Sequence, residues 1–252
     1  MNAYLVAKDW GVRDLAEATG IGSSTVHRVV HEMERLGMLS AVPGARRWTI
    51  GPELLHLVVG LGNRTELLEA ARIHIAQAVE STSEAAYVSV YSPPRRKFFV
   101  AAMAYHRHPY RHVWSERLQT WAEVSVGSDG LAILAFLPDQ EKMAILEELP
   151  TLVPSLRPVT KEALIENLAL IQRRGFATSR GERYEGSLGA SAPLLNSAHY
   201  PLGSFTISWP ESRDRLGLAD DYGRLAVNIA ERISFALAKS PVAHLSETGQ
   251  AA

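Results

Sequence analysis

GIGSSTVHRVVHEMERL, residues 20–36, is the stretch that decides the fold of the first part of the chain. Its spacing predicts the second half of a helix-turn-helix. Ala16 stands four positions before Gly20, and Val26 and Val29 follow six and nine positions after it. A small residue lets two helices cross closely, a glycine adopts the left-handed turn conformation that other residues resist, and the two valines bury the second helix against the first. Ser23 and Ser24 are suited to cap that second helix. At about 100° per residue, Val26, Val29, Val30, Met33 and Leu36 share one side, while Ser24, Arg28, His31 and Arg35 share the other, with His27 at its edge. A polar N-terminal face of this kind enters a DNA major groove, where arginine bonds guanine and serine or histidine bonds a phosphate or a base edge. An ordinary amphipathic helix with a solvated polar face gives the same pattern.

Upstream, residues 12–19 read as the first helix of the motif and residues 2–9 as a short helix before it. After Gly37 the pattern turns from helical to alternating: MLSAV and RWTI flank PGAR, a β-hairpin with its turn at Pro43-Gly44. Such a hairpin is a wing, and Arg46 and Arg47 beside its tip are placed for phosphates or a minor groove. The expected DNA contacts are Ser23, Ser24, Thr25, His27, Arg28, His31, Arg46 and Arg47. Within residues 1–50 only six Lys/Arg face five Asp/Glu, so affinity has to be gathered by pairing two copies on one site.

The whole chain, 252 residues with 46% apolar and 21% charged side chains, has the make-up of a soluble globular protein with material for one large or two smaller domains. A net charge of -1 offers nucleic acid no global attraction, so DNA binding must come from a local patch. No cysteine is present, which excludes disulfides, thiolate metal sites and a cysteine nucleophile. MNAYLVAKDW lacks the layout of a secretory signal, and no apolar run approaches the ~18 residues that span a bilayer. The expectation is a cytoplasmic protein with no membrane partner.

Beyond the wing, GPELLHLVVGLG reads as an apolar linker helix, and Asn63 or Thr65 caps TELLEAARIHIAQAVEST, where Leu67, Leu68, Ala71, Ile75 and Val79 recur at helical spacing. Strands follow: AAYVSVYS and KFFVAAMAY about the basic turn Pro93-Pro94-Arg95-Arg96, then a strand near WAEVSV. GSDGLAILAFL is a glycine-rich loop feeding a helix, EKMAILEEL is another helix, and KEALIENLALIQRRG is a third, capped by Thr160 and stopped by Gly175. FATSR, GASAPLL and GSFTISW read as strands before a helix over residues 219–239, striped by Leu225, Ile229, Ile233 and Leu237. The layout is α+β: a winged helix-turn-helix over residues 1–51, a linker helix over 52–64, an antiparallel-sheet domain over 65–240 and a disordered tail over 241–252. A DNA reader does not need so much further chain; the second domain senses or catalyses something.

Catalysis finds little support, with no G-x-S-x-G elbow, S-x-x-K, P-loop or complete G-x-G-x-x-G. The loop VSVGSDG places Gly127, Ser128 and Asp129 at a helix N-terminus, where free N–H groups favour an anion; the alternative is that Ser128 or Asp129 serves only as an N-cap. In GSFTISW, Ser204, Thr206 and Ser208 share one strand face, either an inner face that orients a small polar ligand or a solvated outer one. His106, His108 and His112, with Glu116 nearby, have workable metal-ligand spacing, but Arg107, Arg111 and Arg117 oppose a cation. A basic pocket rim explains the same residues, and no metal site is expected.

Taken together these pieces resemble the IclR-type transcriptional regulators, from about Leu5 to Lys239. LAEATGIGSSTVHRVVHEMERLGML is similar to the family's winged helix-turn-helix, RWTIGPELLHL to its wing end and linker helix, and VGSDGLAILAFLP to its effector-pocket loop and helix. RRGFATSRGERYEGSLGASAPL resembles a segment in which a glutamate, here Glu182, precedes a glycine, here Gly186, and an Ala-Pro pair, here Ala192-Pro193. The resemblance implies a GAF-like effector domain for a small organic acid or aromatic metabolite, and a dimer or dimer of dimers on operator DNA, acting as a repressor rather than an activator. It implies no enzymatic activity and no cofactor. The family's pocket positions match Ser128, Asp129, Ser179, Gly189, Thr206 and Ser208. Two depart from the usual pattern: Asp129 stands where a small residue is common, and Gly189 where a cysteine or other small side chain is common. The extra carboxylate either repels an acidic effector or bonds a hydroxyl. The reading from another class is an enzyme or metal-sensing domain fused to a DNA-binding module.

Overall fold

The computed structural model describes residues 9–53, 66–105, 120–152 and 160–238, and the chain divides into two compact units, Met1–Thr65 and Glu66–Ala252. The expected helix before Asp9, the linker helix beyond Glu53, the His106, His108, His112 and Glu116 cluster and the tail lie outside the described residues.

In the first unit, β1 (Asp9–Gly11) leads into α1 (Val12–Thr19) and α2 (Ser23–Arg35), followed by the wing strands β2 (Leu39–Ala41) and β3 (Arg47–Ile50). The three strands form one antiparallel sheet in the order β1-β3-β2. Gly20 holds φ +69° at the end of α1, the left-handed turn that makes glycine necessary there. Leu15, Val26, Val30, Leu39 and Trp48 are buried together, with Trp10, Val12, Ala16 and Met33 packed against them.

Three expectations are corrected in this unit. Asp9 belongs to a strand rather than a helix, because Trp10 pairs across the sheet with Trp48; three residues are too few to show a period. The cap of α2 is Gly22, whose carbonyl accepts from the N–H groups of Thr25 and Val26 at 3.0 Å; Ser23 and Ser24 already lie within the exposed first turn. Val29 and Leu36 are 47% and 51% exposed, since one short helix and a small wing cover only the Val26–Val30 centre of the stripe.

The second unit is built on a six-stranded antiparallel sheet in the order β6-β5-β4-β9-β8-β7. Its elements are α3 (Glu66–Thr82), β4 (Ala85–Ser92), β5 (Lys97–Ala104), β6 (Ala122–Glu123), α4 (Gly127–Phe136), α5 (Asp139–Leu152), α6 (Lys161–Arg174), β7 (Ala177–Arg180), β8 (Ser187–Leu195), β9 (Pro201–Pro210) and α7 (Leu218–Ala238). The strand expected near WAEVSV shrinks to two residues. As anticipated, the Thr160 hydroxyl caps α6 by accepting from the Ala163 N–H at 3.2 Å, and Gly175 ends it at φ +83°.

Both faces of this sheet are covered. On one, Ala71, Ile75 and Ala78 of α3 and Ala226, Ile229, Ala230 and Ile233 of α7 meet Ala86, Val88, Phe205 and Ile207. On the other, α4, α5 and α6 supply Leu131, Ile133, Leu134, Leu146, Leu168 and Ile171. Strand alternation therefore sends Phe205 and Ile207 into the first layer and Ser204, Thr206 and Ser208 toward the second. The fold class is α+β: a winged helix-turn-helix and a GAF-like antiparallel-sheet domain.

Candidate functional site

On the first unit, Ser23, Ser24, Thr25, His27 and Arg28 are exposed along the start of α2, and Arg46 is exposed at the wing. Among the described residues Arg28 and Arg46 take part in no ion pair. His31 has a different setting. Its Nε2 lies 3.2 Å from His27 Nε2, its Nδ1 lies 3.2 Å from Glu34 Oε2, and its ring meets Trp48 edge-on at 5.4 Å. Glu34 also accepts from the Trp48 indole N–H at 2.9 Å, so His31 belongs to the joint between helix and wing.

Arg47 is half-exposed, and its guanidinium is bonded along the small sheet. Nη1 donates to the Asp14 carboxylate at 2.8 Å, Nη2 to the Asp9 carbonyl at 3.0 Å, and Nε to the Asp9 carboxylate. The bonds tie β3 to β1 and α1. Of the two wing arginines, Arg46 is exposed and makes no ion pair among the described residues, and Arg47 is the one bonded within the wing.

In the second unit, Ser204, Thr206 and Ser208 are at most 3% exposed, which excludes the solvated-face alternative. Cross-strand register aligns Ser208 with Gly189, Gly189 with Ser179, and Thr206 with Ser191. α4 lies over these strands and brings Ser128 down onto Gly189. A side chain at 189 would place its Cβ 2.5 Å from Ser128 Oγ and 3.0 Å from Ser179 Oγ, so glycine is what lets helix and sheet meet here. Ser191 Oγ donates to Ser128 Oγ at 2.8 Å and lies 2.8 Å from Thr206 Oγ1, while Ser208 Oγ donates to the Leu188 carbonyl at 2.9 Å.

A cavity of about 30 Å³ opens among Tyr87, Ser128, Asp129, Ser179, Arg183, Gly189 and Ser208. Five of the six expected effector positions line it, and Thr206 stands one hydroxyl behind, on Ser191. Ser128 and Asp129 do not cap α4 with their side chains. Asp129 is instead held inside: Oδ2 accepts from Arg183 Nη1 at 2.8 Å and from the Tyr87 hydroxyl at 3.2 Å, and Oδ1 accepts from the Gly130 N–H at 3.0 Å. Burial, and after it the charge of Asp129, pushes the Tyr87 phenol well above its ordinary pKa, so Tyr87 keeps its proton as a donor. Two hydroxyls farther along the same face, Ser89 and Ser204, are cross-strand neighbours, fully buried and without a hydrogen-bond partner among the described residues.

The arrangement is a polar chamber walled by hydroxyls and one ion pair. It holds donors, acceptors and two carboxyl side chains, Asp129 and Glu182, of which Asp129 is paired with Arg183. Among the described residues no group of three His, Asp or Glu side chains is placed to hold a metal ion.

Two family models match the chain: the IclR helix-turn-helix domain over residues 7–43 and the bacterial transcriptional regulator IclR C-terminal domain over residues 116–235. The chain belongs to the IclR family. Among curated relatives, the glycerol operon regulatory protein of Streptomyces griseus is 26% identical over 81% of this chain and 78% of its own. The IclR transcriptional regulator of Alicyclobacillus acidocaldarius shares the fold, with a TM-score of 0.76 at 18% identity, covering 91% of each chain. An IclR homologue of Microbacterium hydrocarbonoxydans, solved in complex with 4-hydroxybenzoate, matches with a TM-score of 0.73 at 21% identity over 92% of this chain and 93% of that one.

This IclR-family chain is therefore a transcriptional regulator with a DNA-binding helix-turn-helix and an effector domain. Sequence reading missed Tyr87, Arg183 and Ser191. Tyr87 had a usable signal, since alternation in AAYVSVYS puts Tyr87 and Ser89 on one face. Arg183 follows Glu182 in GERYEG and carries no local mark of its role.

Proposed function

We propose that this regulator binds operator DNA in the cytoplasm as a dimer, or a dimer of dimers, and that a small organic metabolite entering the Ser128–Gly189 chamber changes its affinity for that DNA. The observation that carries the reading is the buried, hydroxyl-walled cavity in the domain attached to a helix-turn-helix. The six effector positions proposed are Ser128, Asp129, Ser179, Gly189, Thr206 and Ser208, and the DNA contacts are Ser23, Ser24, Thr25, His27, Arg28, His31, Arg46 and Arg47, the last also bonded within the wing. A ligand that binds one arrangement of the two domains better than another shifts the population between DNA-competent and incompetent states. Repression asks least of the fold, because occupying a promoter blocks polymerase without a further contact surface.

Footprinting and gel shifts on the regulator's own upstream region, with and without a metabolite panel, test this reading. A protected palindrome whose affinity changes with one metabolite is the expected result. Arg28→Ala should weaken operator binding about tenfold or more while leaving thermal unfolding unchanged. Arg47→Ala should instead lower the unfolding temperature, since its guanidinium joins β3 to Asp9 and Asp14. No protected site, or Arg28→Ala binding like wild type, would contradict the proposal.

A further inference from the structure

The Asp129 side chain is 3% exposed and that of Arg183 is 20% exposed. Asp129 sits in the first turn of α4, with its neighbours Ser128 and Gly130 buried as well, so it cannot leave its place. Arg183 belongs to the connection between β7 and β8. The remainder of its hold is the Val126 carbonyl, reached by Nη2 at 2.6 Å, and the Phe98 ring, 4.7 Å from its guanidinium carbon. Arg183 lines the 30 Å³ chamber and also a second cavity of about 260 Å³, which Phe98 and Trp121 wall. Glu182 and Tyr184 line both cavities as well, so the stretch from Glu182 to Tyr184 is the partition between them. The inner chamber as it stands has about the volume of one water molecule, so an organic ligand enters only if this stretch gives way, and Arg183 is the member of it that is bonded to Asp129.

The charge that stays behind is then negative. A ligand bearing only a carboxylate would face a buried Asp129 stripped of its arginine, which is strongly unfavourable. A ligand bearing an ammonium group replaces the guanidinium charge for charge. The outer cavity offers the rest of such a molecule aromatic walls, Phe98 and Trp121. We propose that the effector is a small ammonium-bearing compound with an aromatic or apolar body, and that Arg183 is a tethered occupant which the ammonium displaces from Asp129. The inference rests on the sensor reading above and names its ligand class.

Calorimetry and thermal shift on the full chain with phenethylamine and 3-phenylpropionate, which share a body and carry opposite charge, test it. Phenethylamine should bind and 3-phenylpropionate should not. Arg183→Ala removes the internal competitor and should tighten phenethylamine about tenfold or more; Asp129→Asn should weaken it about 30-fold or more. If Asp129→Asn fails to fold, the Arg183→Ala result decides alone. Binding of 3-phenylpropionate in preference to phenethylamine, or unchanged affinity in Arg183→Ala, overturns the proposal. If neither compound binds but another member of a metabolite panel stabilises the protein and alters operator binding, the ammonium class falls and the sensor stands. If nothing in the panel does either, both fall.

Discussion

Gly189 shows how one missing side chain builds a site. No positive φ requires glycine there; the demand is steric, from Ser128 and Ser179 Oγ atoms closing over it. Gly189→Ala should therefore push Ser128 away from Ser191, cost about 1–3 kcal/mol of stability and abolish any effector-induced thermal shift. Urea denaturation and ligand melting curves would check both effects, and wild-type behaviour in both would refute the steric account. Ser128, Asp129, Thr206 and Ser208 were legible as single residues, because a glycine-rich helix start and a strand of alternating hydroxyls both announce polar atoms at fixed spacing. Ser179 and Gly189 came only from the resemblance. The use to which Asp129 is put was not legible, since its partner Arg183 is 54 residues away and meets it only through packing.

At the scale of elements, boundaries followed punctuation. Thr160 and Gly175 bracket α6, Gly20 turns α1 into α2, and Pro93-Pro94 marks the turn between β4 and β5. Pro193 is tolerated inside β8 because β7 pairs only as far as Ser191, leaving no ladder bond for the missing N–H to make on that side. What composition could not show is how elements are tied together by polar groups. Glu84, at the entrance to β4, accepts from Arg213 in the short turn after β9 and is 4% exposed. Burial raises its pKa, and the nearby Arg213 only partly opposes this. A raised carboxyl takes up its proton in the folded state at a higher pH than in the unfolded chain, so stability from this group increases as pH falls through the range just above the ordinary glutamate value. Wild type should therefore gain stability relative to Glu84→Gln as pH is lowered from about 7 to about 4, measured by chemical denaturation; a pH-independent difference would contradict the assignment.

For the whole molecule, charge sets what one copy can do. Net charge is -1, and in the first unit Arg35 and Arg47 are already paired with carboxylates. Arg13, Arg28 and Arg46 are the cations there that make no ion pair among the described residues, so two copies on one operator offer about six. The salt dependence of operator binding should be moderate, with log K falling against log salt at a slope no steeper than about −5. A slope near −10 from a salt titration would mean that cations other than Arg13, Arg28 and Arg46 meet the DNA. The division into two units, the helix-turn-helix and the polar strand face can be read along the chain, because period, turn residues and capping residues act over a few neighbouring positions. Only the tertiary structure decided that Arg47 is bound within the wing and that Asp129 and Arg183 share a buried bond at the mouth of the chamber. Such pairings depend on which distant atoms the fold brings within about 3 Å, a distance no local pattern encodes.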